Sequence, residues 1–428
     1  MTSDSREARS HQGLEASSSD EELLRDHYQV LRTIRHGGFA LIKLAKHLLT
    51  DTLVAVKVLN KKENPFFATE VDVFKSLDHP NVVKLLEIIE TEQWLYFVME
   101  YLEGGDLVDY LQEAGRMEEE EARPLFKQIL SAVKYCHDNR IAHRDIKLQN
   151  ILLDQKGKAK LCDFGVSTRF TLGEELDYEC GTVSFWPPEL FLHQKYQGPK
   201  MDVWSLGIVL YGIVMGKLPF RRESSANLKR QVLNGPFPIR KTFSQELRGL
   251  FAFLLTANPE QRPSLGQVMK HPWFRKTKPF APTPSQTVSK EPDPAILDIM
   301  YDLGYDSSEV RAALSGRTYN GARATYFLLL EQKDQGQDLT RYMRHSVSGP
   351  PQCPVRVYSS SSDTPKTTCR PASHTTTCLP AEQQKQEGGH LYVFSPPPLQ
   401  PLYKERLGTS SHFLLQQQQE TPGTAKGR

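Results

Sequence analysis

The first part of the chain is built from short apolar runs. YQVLRTI from Tyr28, ALIKLAKH from Ala40, LVAVKVL from Leu53, VVKLLEII from Val82 and WLYFVMEY from Trp94 are rich in β-branched and aromatic residues and predict five strands. The period then changes. EEEARPLFKQILSAVKYCHDN, from Glu119, repeats its apolar residues at helical spacing, with Pro124 expected in the first turn. LGIVLYGIVMG, from Leu206, is apolar throughout but far short of the roughly 20 residues that a membrane span needs, so it predicts a buried helix. A strand-rich front and a helix-rich back predict an α+β chain of two lobes.

The same patterning sets boundaries. Residues 1–27 are Ser- and charge-rich and predict disorder, and all four Trp lie inside the globular stretch 28–274. A Pro/Thr-rich linker covers 275–291. Residues 292–332 predict three short helices, broken at Gly304, Gly316 and Asn320–Gly321. The tail, 333–428, turns to Ser, Thr, Pro and Gln and has too little apolar surface to order itself.

Composition narrows the class. Basic and acidic side chains number 53 and 51, a formal net charge of +2, which argues against a broad nucleic-acid footprint. The first residues lack the apolar core of a signal peptide. The six Cys form no CxxC pair, so reduced thiols in a soluble, intracellular, cytoplasmic protein are expected.

The chemistry gathers in IAHRDIKLQNILLD, Ile141 to Asp154, where His143, Arg144, Asp145, Lys147 and Asn150 fall within eight residues. Alone, such a triplet reads as a solvated charged turn. Thirteen residues after Asn150, however, stands DFG, with Asp163. The stretch between reads as two short strands turning at Lys156–Gly157, a hairpin that brings Asn150 and Asp163 together. Phosphoryl transfer needs phosphates held in line, metal charge and a carboxylate near the attacking hydroxyl, and these residues supply such parts.

On these motifs the chain resembles the eukaryotic protein kinases. The resemblance implies their bilobal fold, ATP and Mg2+ as cofactors, and transfer of the γ-phosphate to protein substrates. It gives Asp145 the hydroxyl proton, Lys147 the transferring phosphate, and Asn150 and Asp163 the metal. Lys57, in the third strand, pairs by resemblance with Glu70 and faces the α- and β-phosphates. Thr182 bonds to Asp145 and Lys147, Glu189 pairs with Arg262, and Asp202 anchors the catalytic loop. Phe74, Leu85, His143 and Phe164 form an internal apolar spine. Met99 borders the adenine pocket, backbone groups near Glu100 and Leu102 meet the adenine, Ala55 and Leu152 sandwich it, and Asp106 meets the ribose.

The glycine loop departs from the family pattern. It comprises Ile34, Arg35, His36, Gly37 and Gly38, then Phe39, Ala40, Leu41 and Ile42. Arg35 stands at the first glycine position and Ala40 at the third. Glycine at the first position permits the turn that lets backbone N–H groups approach phosphate; the Arg35 side chain could instead lie outward, or pair with phosphate. Two readings follow: an active enzyme, or a pseudokinase scaffold in which Arg35 blocks nucleotide. The intact Lys57, Glu70, Asp145, Asn150 and Asp163 favour activity. Lys147, with Gln149 where tyrosine kinases place an Arg, points to Ser/Thr substrates. Glu103, Asp106 and Asp109 either attract a substrate Arg or form a solvated acidic face.

The order of kinase domain, linker and three-helix module resembles the AMP-activated-kinase-related branch, and HGGFA with HRDIKLQNI resembles its sperm motility kinases. A role in spermatogenesis or sperm motility, and a flagellar location, are implied by that resemblance alone. The module resembles a ubiquitin-associated domain. Leu303-Gly304-Tyr305 replaces the Met-Gly-Phe of ubiquitin binders, so docking on its own kinase domain, in a monomer free of membrane and nucleic acid, is expected. Tyr178 occupies the place of the branch's activating Thr. A carboxylate such as that of Glu179 is expected to pair with Arg144 in place of phosphate, unless the acidic loop makes no pairing at all.

Overall fold

Strands β1 (Tyr28–His36), β2 (Ala40–His47), β3 (Leu53–Asn60), β4 (Leu85–Glu90) and β5 (Trp94–Glu100) form one antiparallel sheet in the order β1-β2-β3-β5-β4. The structure, a computed structural model, describes residues 22–36, 40–220, 224–235, 237–277, 280 and 291–343, all within the unit Met1–His345. The expectations for Gly37, Gly38, Phe39, most of the N-terminal segment and linker, and nearly all of the tail therefore lie outside the described residues. β4 starts three residues later than its apolar run, because Val82 bridges Leu161 instead and Val83 donates its N–H to the Leu161 carbonyl.

β3 and β5 are buried along almost their whole length, which requires a cover on both faces of the sheet. Ala55, Leu59, Leu95, Phe97 and Met99 join the main core, shared with helix α2 (Phe67–Ser76). Val54, Val56, Val58, Trp94, Tyr96 and Val98 form a second core with Leu24 of α1 (Glu22–Arg25) and with Ala324 and Leu328.

The second lobe is helical. It contains α3 (Leu107–Ala114), α4 (Glu119–Asp138), α5 (Pro188–Phe191), α6 (Gly198–Met215), α7 (Ser225–Asn234), α8 (Gln245–Leu254) and α9 (Leu265–Val268). α6 contains the apolar run at Leu206 and is buried on all sides. No described helix is long and apolar enough to cross a membrane. Pro124 sits in the second turn of α4, not the first, where it has no N–H to offer the Glu120 carbonyl. Short strands β6 (Ile141–Ala142) with β9 (Thr168–Arg169), and β7 (Ile151–Leu153) with β8 (Ala159–Leu161), frame the catalytic loop. Cys136, Cys162 and Cys180 are free thiols, and burial pushes that of Cys162 up to about 12.

Three further helices, α10 (Pro294–Asp302), α11 (Ser307–Ser315) and α12 (Gly321–Asp334), each begin at a side-chain cap, from Asp293, Asp306 and Asn320. α12 turns one face to its partners through Tyr326 and Leu329 and the other to the sheet through Ala324 and Leu328. The Tyr319 carbonyl accepts the Ile88 N–H (3.0 Å), and the Tyr319 hydroxyl donates to the Lys75 carbonyl (2.8 Å). Gln332 donates to the Thr50 carbonyl (2.8 Å) and the Thr52 hydroxyl (2.7 Å).

His47 is fully buried at this contact, with Nδ1 2.9 Å from the Thr50 hydroxyl. Burial, helped by the nearby His27, lowers its imidazole from an ordinary value near 6.5 to about 4. The unfolded chain binds this proton more readily, so the His47 contribution is complete above pH 6.5 and is lost as pH falls toward 4. Its size is about 3 kcal/mol. Urea unfolding across that range is expected to show the loss, and His47→Gln to flatten it. An unchanged slope in the variant refutes the assignment.

Candidate active site

Alternation along β3 sends Val56 and Val58 to the outer core and leaves Lys57 on the face that looks into the cleft. Its ammonium donates to Glu70 Oε1 (2.6 Å) on α2 and to Asp163 Oδ1 (2.7 Å). Burial opposes the charge on Lys57, but Asp163 and Glu70 outweigh it and hold the ammonium above its ordinary value. Lys57 in turn holds the Asp163 carboxyl well below the usual range, and burial raises that of Glu70. The Asp163 backbone is left-handed (φ 64°), and its carboxylate is about two-fifths exposed (43%) toward the cleft.

Between β6 and β7 the catalytic loop is pinned from below. Asp202 on α6 accepts the backbone N–H groups of His143 (2.9 Å) and Arg144 (2.8 Å) and meets His137 Nε2 at 2.8 Å, a partner that sequence reasoning missed. Asp145 Oδ1 accepts from the Thr182 N–H (2.8 Å) and hydroxyl (2.7 Å), while Oδ2 accepts from Lys147 (2.6 Å). Lys147 also donates to the Thr182 hydroxyl (3.0 Å). Asn150 donates its amide hydrogens to the Asp145 carbonyl (2.9 Å) and Oδ2 (3.3 Å), which leaves the amide oxygen for another partner. His143 Nδ1 accepts the Asp145 N–H and Nε2 donates to the Cys162 carbonyl, so the ring is a neutral structural tautomer. It stands 5.0 Å from Phe164, itself 5.5 Å from Phe74.

The nucleotide side lies between Ala55 on β3 and Leu152 on β7, which is bridged to Asp106. The Glu100 side chain is engaged by Lys160 (2.6 Å) and the Lys84 N–H (2.6 Å), bracing the connection between the lobes. Among the described residues the Leu102 backbone makes no hydrogen bond, which leaves both its polar groups for the edge of a base. Asn150 and Asp163 are hard oxygen donors of the kind Mg2+ takes. No group of three acidic, His or Cys side chains placed to hold a metal ion stands among the described residues, but a magnesium shared with phosphates needs only one or two carboxylates. The site therefore fits a magnesium nucleotide in its base and metal parts.

Arg35 neither lies outward nor awaits phosphate. Its guanidinium pairs with Asp106 Oδ2 and donates to the Gln149 carbonyl (3.2 Å). Asp106 Oδ1 caps α3, accepting from Val108 (2.8 Å) and Asp109 (3.0 Å). Glu103 takes Gln155 and Asp109 takes the Asp106 N–H, so each member of the acidic trio has a partner within the chain. The expected pairing of Arg144 with Glu179 is not formed. Arg144 Nε donates to the Val166 carbonyl (2.8 Å) and Nη1 to the Tyr196 hydroxyl (3.2 Å), while Glu179 meets His193 at 2.6 Å. Arg144 is buried, and carrying a solvated carboxylate to it incurs a desolvation cost that neutral oxygens avoid. Gly181 closes this turn with φ 82°, where a Cβ would stand 2.3 Å from the Arg144 carbonyl oxygen. Behind it Glu189 and Arg262 form a two-bonded pair, 2.7 and 2.9 Å, as expected.

A β-rich lobe over a helical lobe, with Lys57, Asp145 and Asp163 along the cleft between them, defines a protein kinase. The protein kinase domain profile matches residues 28–274, and the chain belongs to that family. Among curated proteins it is 43% identical over 309 residues to sperm motility kinase 2B of Mus musculus, covering 71% of this chain and 64% of that one. It is 42% identical over 317 residues to sperm motility kinase 3A (73% and 63%) and 42% identical over 308 residues to sperm motility kinase 1 (71% and 64%), both from Mus musculus. The chain thus spans a little under two thirds of the length of these relatives.

Proposed function

We propose that the chain is a Ser/Thr protein kinase that transfers the γ-phosphate of ATP, with Mg2+, to hydroxyls of protein substrates. The observation that carries this reading is the Asp145 carboxylate, held between Lys147 and the Thr182 hydroxyl at the cleft, with Lys57 held by Glu70 and Asp163. Asp145 orients the substrate hydroxyl and takes its proton. Lys147 offsets charge on the transferring group, and Lys57 orients the phosphates. Asn150 and Asp163 would hold the metal, whose charge, when bound, stabilises the developing negative charge on the phosphate oxygens. A peptide library incubated with the purified chain, ATP and Mg2+ is expected to yield phosphoserine and phosphothreonine. Phosphotyrosine, or no label, overturns the substrate class.

The names of its relatives support a role in sperm motility, and we place that role in a cytoplasmic or flagellar setting as an extension of it. We take the C-terminal helices to be a ubiquitin-associated-like module that docks on its own kinase domain in a monomer. The Tyr305 hydroxyl turns inward to Thr325 (3.1 Å), and Leu303 packs within the module. Both are half-buried within the module, which favours internal packing over an outside partner such as ubiquitin.

The pairing of Arg35 with Asp106 favours a second reading, impaired nucleotide use, because the ribose-facing carboxylate is already engaged. Arg35→Gly is expected to tighten Mg·ATP binding about 5-fold, the scale of a partly exposed ion pair. Unchanged or weaker affinity shows that the pair does not compete with nucleotide.

A further inference from the structure

We infer that Tyr178 is a positioning residue whose ring, set against Phe66, holds α2 and Glu70 in place without a phosphate on the activation segment. The inference rests on the proposed kinase function. Phe66 is the N-cap of α2 and contributes no side-chain cap, while its N–H donates to the Asn64 side chain (3.0 Å). Its carbonyl accepts the Glu70 N–H at 3.0 Å, the first helical bond to the residue that orients Lys57. A shift of Phe66 is therefore passed directly to Glu70.

Beside the local bonds from Phe66 and Phe67 to Asn64, two contacts reach Phe66 and the outer side of α2 from the segment between Asp163 and Glu189. The Tyr178 ring lies 5.2 Å from the Phe66 ring, and Arg169 Nε donates to Asp72 Oδ2 at 2.6 Å. The ion pair is exposed on both sides and weak in water; the aromatic pair, itself part-exposed, is the apolar contact that this segment makes with the N-cap, while Phe164 meets Phe74 further along the helix. At its other end Tyr178 is tied to the catalytic loop: its carbonyl accepts from the Tyr196 hydroxyl (2.7 Å), which in turn accepts from Arg144. A continuous line runs from Arg144 through Tyr196, Tyr178 and Phe66 to Glu70. No carboxylate meets Arg144 among the described residues, and the Tyr178 hydroxyl has no part in the line.

The test uses the full chain after phosphatase treatment, with mass spectrometry confirming that no phosphate remains. Tyr178→Ala and Phe66→Ala are expected to speed hydrogen exchange at the first-turn amides of α2 and to lower kcat, each about three- to tenfold. The double variant should be no worse than either one. Tyr178→Phe should match the unaltered protein in both readouts. Wild-type exchange in Tyr178→Ala and Phe66→Ala overturns the inference. So does a Tyr178→Phe variant as impaired as Tyr178→Ala, since the hydroxyl would then be the working group. If the unaltered chain transfers no phosphate, the kinase reading fails, while the exchange data still decide whether the aromatic pair holds α2.

Discussion

Asp145→Asn is expected to lower phosphoryl transfer by about three orders of magnitude while leaving nucleotide affinity unchanged. The two Asp145 oxygens accept four hydrogen bonds, from Lys147, from the Thr182 N–H and hydroxyl, and from the Asn150 amide. An amide is nearly isosteric but sets an NH2 group against one of these donors and cannot take a proton from substrate. Asp145 is neither a base contact nor a proposed metal donor, and its backbone carbonyl still holds the Asn150 amide, so binding is expected to survive. Single-turnover transfer, measured beside a nucleotide titration, separates the two effects. Transfer within tenfold of the unaltered chain shows that Asp145 is not the proton acceptor; lost nucleotide binding shows that the substitution disturbed the cleft.

The largest effect on stability is expected at Arg262. Its guanidinium is fully buried, and every N–H it has is engaged. Nη1 and Nη2 donate to Glu189 at 2.7 and 2.9 Å, Nε donates to the Thr256 carbonyl (2.9 Å), and the remaining hydrogens meet the carbonyls of Lys200 (2.9 Å) and Ala257 (3.1 Å). Arg262→Ala strands a buried carboxylate at Glu189 and leaves those carbonyls unpaired. The expected loss is about 3–5 kcal/mol in urea unfolding. Arg262→Met with Glu189→Leu removes both charges and should recover much of it. A single-variant loss below about 1 kcal/mol contradicts this account of the pair.

Residues whose identity is dictated by chemistry were legible in the sequence. The hairpin between Asn150 and Asp163 was read from spacing and the pairing of Lys57 with Glu70 from the resemblance to protein kinases, and the structure forms both, with Lys57 bridging Glu70 and Asp163. The five strands and three C-terminal helices were legible for a related reason, since their apolar periods and caps are local. What escaped reading depends on distance along the chain. The strands β3 and β5 are apolar on both faces, which signals a second cover, but nothing in Val56 or Tyr96 says that Ala324 and Leu328 supply it. Arg35 and Asp106 lie 71 positions apart, and neither residue type specifies the other as partner. At Arg144 two readings stood open, a carboxylate such as that of Glu179 in place of the family's phosphate, or no pairing. Arg144 takes no carboxylate, because neutral oxygens from Val166 and Tyr196 satisfy the buried guanidinium without desolvating one.

The central claim is that the cleft of Lys57, Asn150 and Asp163 takes a magnesium nucleotide although Arg35 engages Asp106. Calorimetric titration of the full chain with a non-hydrolysable ATP analogue, with and without Mg2+, tests this most directly. Saturable one-site binding that weakens without magnesium and is lost in Lys57→Met is predicted. No binding at millimolar nucleotide, or binding indifferent to both magnesium and Lys57, contradicts it.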